Sequence, residues 1–375
     1  FQRAFPHQSK EVKNFFYYVS NSENEKLFFR IKKLTLSQLL NSYFKDNKLK
    51  SILSLFILAN AGLPPSLISA FSSIMIFKEF MLDGGYRCKR NMQSLPDSLI
   101  KKFKNSGGTV LFSQHIKNII IKKNQIKGIS LNMGSFFASS NVVLNSDLTY
   151  SLSILKSEQI NNLDEFRRSF KSMRSSLSAF LVYLGLSDQP DSIGKSEANL
   201  WYLPNYDIEL MYKRILSGEI DHEKNYGLVF VKSKLSKVAT LNKNNSKCSM
   251  CLFINAPFKN EKFWEGNKNY FAKKIIEKSE LICSKFQQKI KLFEIATPAT
   301  FFKHTRNNEG ACYGLAATRS QVWNYELIRK VRLINGLHIA SHWNGKGHGI
   351  PFVSYSGYSV AKTILNKLKD KRKTP

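Results

Sequence analysis

The sequence is short of acidic residues. Its 375 residues hold 27 aspartates and glutamates against 57 lysines and arginines, a formal net charge of +30. A surplus of that size would suit a nucleic acid or an anionic membrane surface. The lysines, however, are scattered singly and in pairs among asparagines, with no stripe of interleaved arginine and aromatic residues. No nucleic-acid partner is expected, and the charge reads as a solvated surface. Cysteine is also scarce. Five residues at irregular spacing exclude a disulfide scaffold and fit a reducing, cytoplasmic compartment. Cys248 and Cys251 sit in "KCSMCLF" without a second pair or paired histidines, so two core cysteines are expected and no metal.

Long apolar runs are missing too. The most apolar stretch, "KSILSLFILANAGLPPSLISAFSSIMIFKEFML", is broken by Gly62, Pro64 and Pro65, and neither half has the length of a membrane span. Two helices joined by a Pro-Pro turn are expected. They form either an ordinary core pair or a greasy wall facing a lipophilic substrate or the bilayer surface, which would make the protein peripheral on the membrane. The opening "FQRAFP" has neither a basic n-region nor an apolar h-region, and the chain is expected to begin inside a longer protein.

What is plentiful is apolar and aromatic: 43% of residues are hydrophobic and 28 are phenylalanine, which makes a globular chain with a sizeable core. Met92, Leu95, Leu99 and Phe103 fall on one helical face that ends at Gly107 and passes into a strand over Thr109 to Phe112. "IKNIIIKKNQIKGISL" reads as two strands about an Asn-Gln turn, and "VVLNSD" as a short buried strand ending in polar residues. Between 148 and 330, strands such as "AFLVYLGL", "LVFVKS" and "MCLFINA" alternate with helices.

Near the carboxyl end stands "LHIASHWNGKGHGIPFVSYSG". A short apolar strand, Leu337 to Ala340, leads into alternating Gly345, Gly347 and Gly349, and then Val353, Gly357, Val360, Ala361, Ile364 and Leu368 recur at helical spacing. Alternating glycines let a backbone approach a flat surface. The helix start, with Pro351 in its first turn, favours an electron-rich or anionic group. His338, His342 and His348 lie in the same stretch, without a carboxylate pattern or a reason to converge, and are not read as a metal site. No Ser-His-Asp or paired-carboxylate constellation stands out, and no catalytic residue is assigned.

"GGYRCKRNMQSLPDSL", "GGTVLFSQHIKNIIIKKNQIKGISL", "VVLNSD", "ATPATFFKHTRNNEGACYG" and the glycine-rich carboxyl-terminal stretch together resemble the bacterial-type phytoene desaturases, carotenoid isomerases and retinol-saturase-like flavoproteins. "RAFP" at the start also fits, so the resemblance runs from about residue 1 to about residue 365. Arg90 and Asn91 replace a glycine pair usual there, and Ser341 replaces a glycine.

The resemblance implies an α/β, FAD/NAD(P)-binding Rossmann-like fold of the glutathione-reductase type, N-terminally truncated, with an inserted α+β substrate domain. Residues 1–82 would be the helical part of the substrate domain, 83–147 the middle segment of the FAD-binding domain, 148–330 the substrate domain, and 331–375 the carboxyl-terminal FAD-binding segment. FAD would be the cofactor, with Gly347, Gly349, Ile350, Pro351, Asn145, Asp147, Gly84 and Gly85 as candidate contacts. The substrate would be a lipophilic polyene, desaturated or isomerised. The family's G-x-G-x-x-G turn, which holds the FAD pyrophosphate, does not occur in these 375 residues. An amino-terminal segment is therefore expected to complete FAD binding. The alternative is a non-catalytic remnant that binds a lipid or a partner.

Overall fold

The computed structural model describes the chain apart from residues 87, 89–91, 157–166, 169, 189–199, 219–227, 235–247, 281–284, 324–330, 332 and 374–375. Arg90 and Asn91 thus lie outside the described residues. The helices are α1 (Ser9–Asn21), α2 (Asn24–Ile31), α3 (Leu36–Tyr43), α4 (Asn47–Ala61), α5 (Ala70–Phe77), α6 (Ser94–Asn105), α7 (Leu148–Ser153), α8 (Ile208–Ser217), α9 (Glu261–Glu280), α10 (Pro298–Thr305) and α11 (Ile350–Lys373). The strands are β1 (Ile116–Lys122), β2 (Gln125–Leu131), β3 (Phe136–Ala138), β4 (Val142–Leu144), β5 (Leu155–Lys156), β6 (Ser178–Leu186), β7 (Leu200–Tyr202), β8 (Leu228–Lys234), β9 (Cys248–Ala256), β10 (Ile290–Ala296) and β11 (Leu337–Ile339).

One core joins the amino-terminal helices to an antiparallel sheet ordered β10-β6-β9-β8-β7. β6 is an interior strand, paired with β9 from Ser178↔Ala256 to Leu186↔Cys248, and its near-continuous apolar run is buried along most of its length. Helix ends are fixed by side chains. Thr35 and Gln38 form a reciprocal capping box on α3, and Asp46 Oδ1 accepts from Lys48 N–H and Leu49 N–H at 2.7 and 3.0 Å at the start of α4. α4 ends at Gly62 in the left-handed conformation, φ +64°, ahead of the Pro64-Pro65 turn. The apolar side chains of α4 and α5 are buried or half-buried, so the pair belongs to the core, while Phe71 and Met75 of α5 also line a cleft. Among the described residues no helix is long and apolar enough to cross a membrane. Past Phe77 the helix continues as a π-helical turn, Lys78–Leu82.

A second core gathers Ile119, Ile121, Ile126, Leu144, Leu148, Leu152, Leu155, Phe170, Ala311, Leu315, Leu337 and Trp343. It lies under a sheet ordered β3-β2-β1-β5 and a separate parallel pair, β4 with β11. The hairpin is as expected in its strands but turns on Lys123 and Asn124, both at positive φ, rather than on Asn-Gln. The strand expected over Thr109 to Phe112 is not formed; Leu111 and Phe112 are exposed. α6 forms, yet none of its residues is buried, and Leu99 and Phe103 face outward. No described element covers that face or pairs with 109–112.

The helical layer depends on aromatic packing around Phe15, which is fully buried with the rings of Phe16, Tyr43, Phe44 and Phe77 between 5.3 and 5.9 Å away. Phe15→Ala is expected to cost about 3–5 kcal/mol through the cavity it leaves. Urea unfolding of the variant beside the parent measures this.

Candidate functional site

Parallel pairing of β11 with β4, Leu337↔Val142 to Ile339↔Leu144, sets the carboxyl ends of two strands side by side, and Ala340 N–H extends the ladder to Leu144 O at 2.9 Å. In open α/β sheets ligands approach such ends. Asn145 follows β4 there, exposed. On the same edge β11 is followed by the segment that leads into the glycine turn.

Side chains pin the turn. Asn344 donates through Nδ2 to Ser356 Oγ at 2.7 Å, and its Oδ1 accepts from Lys346 N–H at 2.8 Å. Trp343 Nε1 donates to Asn307 Oδ1 at 3.3 Å, and Trp323 N–H donates to Gly345 O at 2.7 Å. Gly345, Gly347 and Gly349 have φ of +70°, +148° and +86°, a region in which a Cβ is strained. The latter two differ in surroundings. A Cβ on Gly347 would lie 2.8 Å from the Phe352 ring, so that space is filled by the chain itself; one on Gly349 would meet nothing within 4 Å. Gly349 therefore leaves open room directly before α11, where Ile350 and Pro351 are exposed in the first helical turn. That leaves room for a flat group above a helix N-terminus.

Asp147 is committed elsewhere. Its Oδ1 accepts from Tyr150 N–H at 2.9 Å, capping α7, and its Oδ2 accepts from Asn308 N–H at 2.9 Å. Buried with both oxygens engaged, it holds β4 and α7 to the segment after α10. Gly84 and Gly85 follow the π-helical turn. Gly84 has φ +89°, a Cβ on either would meet nothing within 4 Å, and no described contact joins them to the glycine turn.

Among the described residues no group of three His, Cys, Asp or Glu able to hold an ion occurs. His338 bonds Asn141 Oδ1 at 3.2 Å. The His348 ring lies 5.2 Å from that of Tyr313, whose hydroxyl donates to Ala59 O at 2.6 Å, and its Nε2 is buried without a hydrogen-bond partner among the described residues. Burial, then the proximity of His342, lowers the His348 pKa to about 4, against a hydrogen bond to the Asn60 backbone; burial also lowers that of His342. The Cys251 and Cys312 thiols are pushed up to about 12 by burial.

Beside the turn lies a cleft of about 610 Å³, the size of a small-molecule site, lined by Phe28, Phe29, Phe71, Met75, Trp323, Phe352 and Tyr355, with Glu25, Glu79 and Lys346 among its polar groups. These residues were not singled out from the sequence. The signal was present in Phe71, Met75 and Glu79, four residues apart on one helical stripe, but their partners on α2, at Trp323 and on α11 come from distant segments.

His348 yields a pH dependence. In the folded protein its ring stays neutral down to about 4, whereas an ordinary histidine takes its proton at 6.5, so the unfolded chain binds more protons between these values. The stability that depends on neutral His348 is complete above 6.5 and is lost as the pH falls towards about 4. His348→Gln is expected to flatten this part of the profile. Urea midpoints of both proteins across that range test it.

No family model matches the chain. Across 345 residues it is 21% identical to 4,4'-diaponeurosporene oxygenase of Staphylococcus aureus strain bovine RF122 / ET3-1, with 90% of the chain and 66% of the relative covered. The enzyme of strain MSSA476 gives the same figures. The chain thus spans 66% of the length of these relatives. Among solved structures, an oxidoreductase from Methanosarcina mazei superposes with a TM-score of 0.62 at 12% identity, covering 90% of this chain and 71% of that one. A putrescine oxidase variant redesigned in its cofactor binding gives 0.63 at 9%, covering 96% and 76%. Reduced UDP-galactopyranose mutase gives 0.52 at 12%, covering 81% and 60%. The architecture described above is accordingly an FAD-binding Rossmann-like α/β fold with an α+β insertion.

Proposed function

We propose that the chain is an FAD-dependent oxidoreductase acting on a carotenoid or related polyisoprenoid, by desaturation or cis–trans isomerisation. The observation that carries this reading is the joining of two features. A glycine turn with open room at Gly349, leading into the N-terminus of α11, adjoins an aromatic cleft of about 610 Å³. Gly349, Ile350 and Pro351 would lie against the ring end of FAD, with Asn145 following β4. Bound there, FAD supplies hydride chemistry.

The chain's own residues position and exclude. Phe28, Phe71, Trp323 and Phe352 offer walls for an extended apolar molecule and keep water from it. The α11 N-terminus favours an electron-rich group against it. His342 and His348, neutral at physiological pH, add no positive charge.

We assign the pyrophosphate end of FAD to a dinucleotide-binding βαβ segment that these 375 residues do not contain. Its docking surface is the uncovered face of α6 with Leu99 and Phe103, the unpaired stretch bearing Leu111 and Phe112, and the two-stranded sheet with exposed Val143. Such surface, apolar and open to backbone pairing, suits an added strand and helix.

Anaerobic mixing of the flavin-loaded protein with diaponeurosporene and with its terminally hydroxylated derivative tests the reading. A shift in the polyene spectrum is expected, with bleaching of the flavin for desaturation and none for isomerisation; both polyenes unchanged on loaded protein overturns the substrate class. Gly349→Val is expected to lower flavin occupancy while far-ultraviolet ellipticity is retained. Full occupancy in that variant removes the turn from the cofactor site.

A further inference from the structure

The cleft is not uniform along its length. α2 and α5 run side by side in opposite directions: the Phe28 ring lies 5.2 Å from that of Phe71 near the start of α5, while Asn24, one turn earlier in α2, accepts from Lys78 Nζ at 3.0 Å just past the end of α5. Phe71, Met75 and Glu79 therefore form a stripe that runs from one end of the cleft to the other, ~12 Å at about 1.5 Å per residue. At the Phe71 end stands Trp323, 6.1 Å from that ring, and its backbone bond to Gly345 brings Lys346 to the wall. At the other end stand Glu79 and Glu25. The middle is aromatic, one end is basic and the other is acidic.

Glu79 is partly buried, and among the described residues no hydrogen bond or ion pair engages its carboxyl. Burial, then the charge of Asp83, raises its pKa, as expected of a carboxyl short of partners. A pure hydrocarbon filling the cleft would strip water from this group and return nothing, whereas a hydroxyl at the ligand's end would restore the hydrogen bond. A site built around such a group discriminates against the analogue lacking the hydroxyl far better than an apolar pocket discriminates between hydrocarbons.

We propose that Glu79 is the specificity residue of the cleft: its carboxyl hydrogen-bonds a hydroxyl at the end of an elongated apolar ligand, so that the protein selects a terminally hydroxylated polyisoprenoid over the corresponding hydrocarbon. The inference rests on the polyisoprenoid reading above. It adds that this protein's substrate comes from a reaction that installs a terminal hydroxyl.

Calorimetric titration with farnesol and farnesene tests it without involving the flavin. The parent is expected to bind farnesol about tenfold or more tighter than farnesene. Glu79→Leu abolishes the preference, and Glu79→Gln, which still hydrogen-bonds, restores most of it. Met75→Trp, which fills the cleft, blocks both probes. Equal affinity of the parent for the two probes, or a preference that survives Glu79→Leu, overturns the role of Glu79 and leaves the lipophilic cleft standing. Binding of neither probe, or binding unaffected by Met75→Trp, overturns the cleft as the polyisoprenoid site as well.

Discussion

Three residues of parallel pairing, Leu337–Ile339 against Val142–Leu144, govern where everything else at the site can stand. A parallel pair needs a long crossover, and here all five strands of the antiparallel sheet, with α7 to α10, lie between the two strands. The closure entropy of so long a connection grows only slowly with its length, and a short ladder suffices when other contacts share the task. Those contacts are present. Asp147 binds the segment after α10, Trp343 reaches Asn307, and the second core gathers residues from both sides of the insertion. The glycine turn is therefore rigidly placed although it is itself a loop.

Around that turn the protein keeps charge out of its interior despite a net charge of +30. His342 and His348 are held neutral, and Cys251, Cys312 and Tyr313 are held protonated, each chiefly by burial. A chain can thus be strongly basic and yet keep its buried titratable groups uncharged, because composition and interior polarity are decided by different residues.

Local order was legible wherever periodicity and turn chemistry agree with tertiary packing. The α4–α5 pair about Pro64-Pro65, the β1–β2 strands, the "VVL" strand and the sequence from Leu337 through the glycines into α11 all stand where their residues point. Two misses have a common cause. Thr109 to Phe112 reads as a strand, but a strand requires a neighbour, and none of the described residues supplies one. The hairpin turns at Lys123-Asn124 because two successive positive φ values match the twist of the flanking strands, a requirement that composition signals weakly when no glycine is present. At the site, Gly349 and the α11 start were visible from the glycine spacing. The engagement of Asp147 with Asn308 and the assembly of the cleft from α2, α5, Trp323 and α11 were not, because each depends on contacts between segments far apart in the chain.

The π-helical turn at Lys78–Leu82 carries a consequence for how this cleft can diversify. A π turn accommodates one extra residue within a helix, and each residue of an α-helix advances the side-chain direction by about 100°. Loss of a single residue there would restore regular winding and swing the chain beyond it, through Asp83 to the Gly84-Gly85 pair, to a new bearing while Phe71 and Met75 stayed in place. The polar mouth of the cleft can therefore be re-aimed by a change in chain length alone, with its aromatic floor preserved and no side chain in it exchanged.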